Sequence, residues 1–399
     1  MTTIREFRIS GLAGRTVDLH RTLREDVNIF WGLNGTGKTT LLRILDAALN
    51  NSTDGLSSLP FTAAEVRIYS EAYGMDVVRT YSKEDEFDRE RQTPQSLLAL
   101  EEMGVDDDLL GRLRLDEADP GWNTEPSFAP RSNREWARFK HSYLSITRMN
   151  EIGRFGRQRD ELSMDEQFAQ RVNSVWSRYS MRSLAEIRDI QQSGLAEVLA
   201  ILFGGTANAN LELESRRNGE SEVAISASSA FSIVSEFLRR QQIKLPLGEE
   251  DFTARYDESA HHRHVVTRIQ SVMRQIDHVL APQQELQTVI SEMYIGNKQL
   301  VLNRQGKTGQ RVAVEIDDEA IPLTSLSSGE KQLLQILLET LAVEGSTIMI
   351  DEPEISLHPD WQQGLVNSMR RVNPNGQFVL ATHSPELMIG VPEECVFEL

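Results

Sequence analysis

Apolar positions along the chain fall into two regimes. At both ends they come as short runs or alternations. Residues 4–9 (Ile-Arg-Glu-Phe-Arg-Ile), 17–20 (Val-Asp-Leu-His) and 27–31 (Val-Asn-Ile-Phe-Trp) predict strands separated by Gly11, Gly14 and a charged turn. Residues 65–69 with 76–81, and 299–302 with 311–316, predict two hairpins. Residues 346–350 and 377–381, apolar after their first one or two positions, predict two further strands. In the middle the period changes to that of a helix. Leu162, Phe168, Val172, Val175 and Trp176 line one face between 159 and 202, and Val265, Ile269, Val272, Met273, Ile276 and Val279 another between 264 and 294. These predict two arms of an antiparallel helical hairpin, about 40 to 60 Å long at about 1.5 Å per residue, with Gly204, Gly205 and the polar run 208–218 near its tip. The expected fold is α/β, a mixed sheet flanked by helices with a short coiled-coil-like insertion. The first lobe spans 1–150, with an acidic, breaker-rich stretch at about 82–131. The insertion follows at 151–294 and the second lobe at 295–399.

Between the strand at 27–31 and the helix that starts with Leu41, Leu42, Ile44 and Leu45 lies Gly32-Leu33-Asn34-Gly35-Thr36-Gly37-Lys38-Thr39-Thr40, which fits G-x-x-x-x-G-K-[ST]. Glycines there let backbone N–H groups converge on phosphate oxygens at the positive end of a helix dipole. Asn34, Gly35, Thr36, Gly37, Lys38, Thr39 and Thr40 are therefore the expected nucleotide contacts. Lys38 faces the β/γ-phosphates and Thr39 ligates Mg²⁺.

The apolar run 346–350 ends in Asp351-Glu352-Pro353. Two acids after a strand are also ordinary turn residues. Beside a phosphate loop, however, Asp351 becomes the second Mg²⁺ ligand and Glu352 the general base for an attacking water. Upstream, Leu326-Ser327-Ser328-Gly329-Glu330-Lys331-Gln332 opens an apolar helix, with Ser327 and Glu330 spaced as a capping box. Downstream come Glu354-Ile355-Ser356-Leu357-His358-Pro359 and Thr382-His383-Ser384.

This ordered set resembles the ABC-type ATPases of the SMC, RecF and OLD kind. The resemblance implies binding and hydrolysis of ATP with Mg²⁺ by paired heads: Ser328, Gly329 and Glu330 of one copy would close over ATP held by the other. Residues 354–359 would lie along the seam and His383 would meet the γ-phosphate. A lone copy would hydrolyse poorly. Tyr143-Leu144-Ser145-Ile146-Thr147-Arg148 is similar to a tyrosine-leucine-proline-x-x-arginine segment in ATPases of the phage-defence systems Septu and PARIS, with serine in place of the proline.

The chain has 399 residues and a net charge of −18, from 42 Lys and Arg against 60 Asp and Glu. That balance argues against broad duplex-DNA binding, which displaces counterions with excess cations. One stretch departs from it: Arg131, Arg134, Arg138, Lys140, Arg148, Arg154, Arg157 and Arg159, interleaved with Trp136, Phe139, Tyr143 and Phe155. It reads either as a contact for nucleic acid or an acidic protein, or as a solvated face balancing nearby acids. His261, His262 and His264 read as a polar helix start, since neighbours on a helix diverge. A single cysteine, Cys395, excludes an internal disulfide framework. With no apolar leader and no run near the roughly 18 residues of a spanning helix, the expected location is cytoplasmic. OLD-type nucleases continue beyond the switch histidine, whereas this sequence ends at Leu399. The expected role is thus a homo-oligomeric sensor or scaffold for a separate nuclease or toxin in anti-phage defence. A RecF-like DNA-repair clamp is the alternative.

Overall fold

The structure is a computed structural model that describes residues 1–84, 122–125, 138–145, 163–203, 225–240, 243–302, 312–317 and 319–399. Most of the acidic stretch at 82–131, all of the basic cluster except Arg138 and Lys140, Arg148, and the polar run 208–218 lie outside the described residues. By contacts the chain divides into two compact units, 1–176 with 285–399, and 177–284.

Among the described residues the first unit holds three sheets. Strands β1 (Thr2–Ser10), β2 (Leu19–Thr22), β4 (Ala63–Ser70), β5 (Met75–Ser82) and β6 (Asn123–Glu125) form an antiparallel sheet in the order β2-β1-β4-β5-β6. Strands β3 (Val27–Trp31), β7 (His141–Ser145), β11 (Thr347–Asp351), β12 (Gln377–Thr382) and β13 (Val396–Glu398) form a parallel sheet in the order β13-β3-β12-β11-β7. A small antiparallel sheet joins β8 (Lys298–Leu302), β9 (Val312–Ile316) and β10 (Glu319–Ile321). Both predicted hairpins are present as β4–β5 and β8–β9. The strand expected at 17–20 is displaced to Leu19–Thr22, and Val17 is exposed. β2 takes its register from pairing with residues 6–9 of β1, and the local apolar spacing is too short to specify it.

Helix α1 (Lys38–Asn50) packs between β4 and the strands β11 and β12. Its Leu41, Leu42, Ile44, Leu45, Ala48 and Leu49 join Phe7, Ile9, Phe30, Val66, Ile68, Met349 and Val379 in one buried cluster. The central strands β11 and β12 are buried throughout, which is why their middles, 348–350 and 378–381, are apolar on both faces. Helix α6 (Ser328–Val343) contacts β7, β11 and α7 (Pro359–Val372) and is buried nearly all round, as its apolar composition requires.

The Gln377 amide ties the two large sheets together. Gln377 Oε1 accepts from Ile4 N and Thr347 Oγ1, each at 2.8 Å, and Nε2 donates to the carbonyls of Ile4 and Arg24, each at 2.8 Å. Both donors and both acceptor sites are used in a fully buried position. Gln377→Leu strands the Ile4 backbone groups without partners. Stability is expected to fall by about 3 kcal/mol at a buried-polar cost of about 1–3 kcal/mol each, read from the urea midpoint at constant m-value.

The second unit contains the distal parts of helices α2 (Met164–Phe203) and α5 (Ala260–Met293), with α3 (Ala227–Arg240) and α4 (Glu249–Glu258) between them in sequence. The two long helices run antiparallel, as the periodicity predicts: a Cβ on Gly194 would meet Val272, and Glu197 pairs with Arg268. Helices α3 and α4 are an addition to the expected hairpin. Ala230, Val234, Tyr256, Val266 and Ile269 form their common core. His261, His262 and His264 lie in the first turns of α5, and among the described residues no group of His, Cys, Asp and Glu is placed to hold a metal ion. No helix among the described residues is long and apolar enough to cross a membrane.

Candidate functional site

Parallel pairing aligns the carboxyl ends of four strands. Trp31 pairs with Thr382, Asp351 with Ala381, and Asp351 with Ser145. The residues that follow these ends, from Gly32, Glu352 and His383 onward, therefore emerge along one edge of the sheet, where open α/β sheets bind ligands.

At that edge the loop after β3 enters α1 through Gly37, whose φ of 100° suits glycine alone. Lys38 is buried, at 5% exposure, and its Nζ donates to the carbonyls of Gly32 at 2.7 Å and Leu33 at 3.1 Å. The ammonium is thus held inside the curl of the loop. Asn34 and Gly35 are exposed at its tip, while Thr36 and Thr40 are half-buried. Arg15 donates to the Thr36 carbonyl at 3.3 Å and brings a second cation to the loop.

Asp351, 4% exposed, is hydrogen-bonded by the Thr39 side chain and lies within the electrostatic reach of Lys38 and Arg43. Its Oδ1 is buried with no hydrogen-bond partner. Burial pushes its carboxyl above the usual range, the Glu352 charge adds to that, and Thr39 and the cations pull the other way. A hydroxyl beside a carboxylate oxygen that lacks a partner is a donor set that fits Mg²⁺, which binds one or two protein oxygens and keeps several waters.

Glu352 adopts φ of 53° and donates its N–H to Ala381 O at 2.8 Å. A left-handed glutamate stores strain of the kind that collects at functional sites. Here it turns the side chain away from the strand direction and leaves it partly exposed. His383 Nδ1 lies 3.7 Å from Glu352 Oε1 and 3.3 Å from Glu354 Oε1. Lys38, Thr39 and Asp351 are thus gathered in one group, and Glu352 and His383 in another at the same edge.

Ser328, Gly329 and Glu330 open α6. Ser327 caps it: its Oγ accepts from Glu330 N at 3.3 Å, and Glu330 Oε2 accepts from Ser327 N at 2.9 Å. Glu330 also pairs with Lys298 at 2.5 Å, and its carbonyl accepts from the buried Tyr294 hydroxyl at 2.7 Å. Burial raises the Glu330 carboxyl, but Lys298 and Ser327 outweigh it and hold the group below its ordinary range. Gly329 abuts the 354–359 segment, where an added Cβ would lie 2.6 Å from Ser356 O. Ser328 is exposed, and among the described residues no hydrogen bond or ion pair joins 328–330 to the loop at 32–40 of the same chain. Ser327→Ala is expected to cost about 1 kcal/mol of stability while leaving the sheet edge intact, read by thermal melting beside nucleotide binding.

Several residues here carry no local sequence signal. His141 on β7 places Nε2 2.8 Å from Asp46 Oδ1 of α1 and Nδ1 2.8 Å from Phe139 O, and so ties the strand beside Asp351 to the helix after the loop. Tyr143, two residues on, is half-buried with its hydroxyl inside, and that desolvation with the Asp351 charge pushes the hydroxyl up to about 12. Arg15, Lys298 and Tyr294 are equally silent in sequence, because their partners lie far along the chain.

Comparison with known proteins adds several similarities. Residues 199–389 match the family described as "AAA domain, putative AbiEii toxin, Type IV TA system". That match covers a little under half of the chain, which in this part is similar to AAA-family ATPase domains. The match takes in the α6 start, Asp351, Glu352 and His383, and the phosphate loop lies N-terminal to it. The chain is similar to "Retron Vc95 probable ATPase" of Vibrio cholerae serotype O1 biovar El Tor, 34% identical over 87 residues, covering 18% of this chain and 17% of that protein. It is also similar to "Retron Ec83 probable ATPase" of Escherichia coli, 30% identical over 87 residues, covering 18% and 16%. The matched region thus spans under a fifth of either relative. Among solved structures, the Smc head domain of Pyrococcus furiosus with an extended coiled coil aligns at 13% identity and a TM-score of 0.45, covering 97% of this chain and 91% of that one. The fold is α/β with mixed sheets and helices, as the sequence predicts.

Proposed function

We propose that this chain binds ATP with Mg²⁺ at the carboxyl edge of its parallel sheet and hydrolyses it slowly, when two copies pair. The observation that carries the reading is the meeting of Lys38, the Thr39–Asp351 pair and the Glu352–His383 pair along that edge. Backbone N–H groups of 34–40 and the Lys38 ammonium would hold the phosphates, with Lys38 exchanging loop carbonyls for phosphate oxygens. Thr39 and Asp351 would hold Mg²⁺, which when bound offsets charge on the β/γ-phosphates. Glu352 takes the proton of the attacking water, and His383 lies close enough to it to meet the γ-phosphate.

The pairing of copies is supported by Ser328. It is exposed at the start of a capped helix, an arrangement suited to a phosphate from another chain. With the helical unit 177–284 as the recruiting element, the reading extends to a sensor or scaffold controlling a separate nuclease or toxin in anti-phage defence. The retron ATPases it is similar to, and the toxin–antitoxin wording of the matched family, favour that setting.

Co-expression with the products of adjacent genes, followed by turnover measurements with and without DNA, tests the proposal. The expected result is an ATP-dependent complex with a nuclease or toxin, and hydrolysis indifferent to DNA. Salt-sensitive DNA stimulation and no effector complex would contradict it in favour of a DNA clamp.

A further inference from the structure

Glu354 stands just past the two acids of the site, and neither the catalytic base nor the Mg²⁺ pair uses it. Its side chain is 6% exposed. One oxygen, Oε1, accepts from Thr382 Oγ1 at 2.7 Å and His383 N at 3.0 Å, and lies 3.3 Å from His383 Nδ1. The other, Oε2, is buried with no hydrogen-bond partner. A carboxylate kept from water needs a charged or strongly polar neighbour. Among the described residues, the only ion pair at this side chain is with the imidazole of His383. The contact is long-range in sequence but fixed by the fold, because Thr382 ends β12 beside β11 and the turn after Asp351 returns Glu354 to the same edge.

We propose that Glu354 is the positioning residue for His383: it anchors the backbone and the ring together and keeps the imidazole proton on Nδ1. A carboxylate only accepts, so the ring nitrogen facing it must carry hydrogen. With Glu354 and Glu352 both on the Nδ1 side, that nitrogen is committed, and Nε2, an acceptor in the neutral ring, is the one presented to the attacking water; it donates to phosphate only when the ring is doubly protonated. Glu354 touches neither substrate nor metal and acts only through His383. The proposal rests on the ATP-site reading above and deepens it.

Two measurements test it. Long-range ¹H–¹⁵N spectra of protein labelled at histidine, with His383 assigned by its loss in His383→Gln, report which nitrogen holds the proton. Neutral His383 is expected in the Nδ1–H form. Its share should fall in Glu354→Gln, which keeps an acceptor for Thr382 and His383 N but removes the charge. In steady-state assays Glu354→Gln is expected to lower kcat about 10- to 100-fold with KM for ATP unchanged, and to cost nothing further in a His383→Ala background. An Nε2–H tautomer in the wild type, or an equal loss in both backgrounds, overturns the proposal while leaving the ATP site standing. Absence of ATP turnover in the wild type refutes the ATP reading instead, and the spectra still decide the role of Glu354.

Discussion

Glu352→Gln is expected to lower ATP turnover by about 100- to 10,000-fold, the range for loss of a positioned general base, while ATP affinity stays as it was. The separation follows from the geometry. The oxygens suited to Mg²⁺ belong to Thr39 and Asp351, and the charge suited to phosphate belongs to Lys38. Glu352 contributes to neither. Its strained backbone is fixed by the hydrogen bond from its N–H to Ala381 O, which glutamine retains. Glutamine keeps the volume and loses the basicity, so kcat falls and KM does not. The ATP-bound pair, no longer cleared by hydrolysis, accumulates and elutes as a dimer. Phosphate release, nucleotide titration and light scattering together read this result. Undiminished turnover contradicts the role given to Glu352.

Lys38→Met is the second large effect, and it acts on the step Glu352 leaves alone. The methionine fills the buried slot but cannot donate to Gly32 O, Leu33 O or a phosphate. Two charge-assisted hydrogen bonds, each at about 1.5–3 kcal/mol, correspond to ATP binding weaker by at least about 100-fold. Turnover disappears with it. Far-UV circular dichroism should be unchanged, since α1 is held by Leu41, Leu42, Ile44 and Leu45 in the main core. Wild-type affinity in this variant contradicts the placement of phosphate at the loop.

Much of this site is legible in the sequence because its chemistry is local. The loop at 32–39 is specified by glycine spacing, the helix at Ser328 by Ser327 and Glu330 three residues apart, and strands β11 and β12 by the apolar runs at 348–350 and 378–381. What is not legible depends on distance. Asp46 and His141 meet across 95 residues, Gln377 and Ile4 across 373, and no period links them. A helical insertion is legible, but the place where the two compact units divide is not, because the contact boundary at 176/177 falls inside the continuous helix Met164–Phe203, where periodicity has no break. Helices α3 and α4 escape because the glycine and polar signals near 204–218 have the composition of a hairpin tip. Ala230, Val234 and Phe237 carry their own helical spacing a few turns on. Glu354 is visible in the sequence only as one more acid. Its burial and its unpartnered oxygen exist only in the folded chain.

Mixing two inactive variants tests the central claim, that each ATP is shared between two copies. Lys38→Met disables the phosphate loop, and Ser328→Arg blocks the exposed helix start without disturbing a buried contact. If Ser328 of one copy serves Lys38 of its neighbour, each mixed pair contains one intact site. Equal mixing should then restore about a quarter of wild-type turnover for random two-fold pairing. If both residues served the same nucleotide within one chain, the mixture would stay as inactive as its components, and that result would contradict the account.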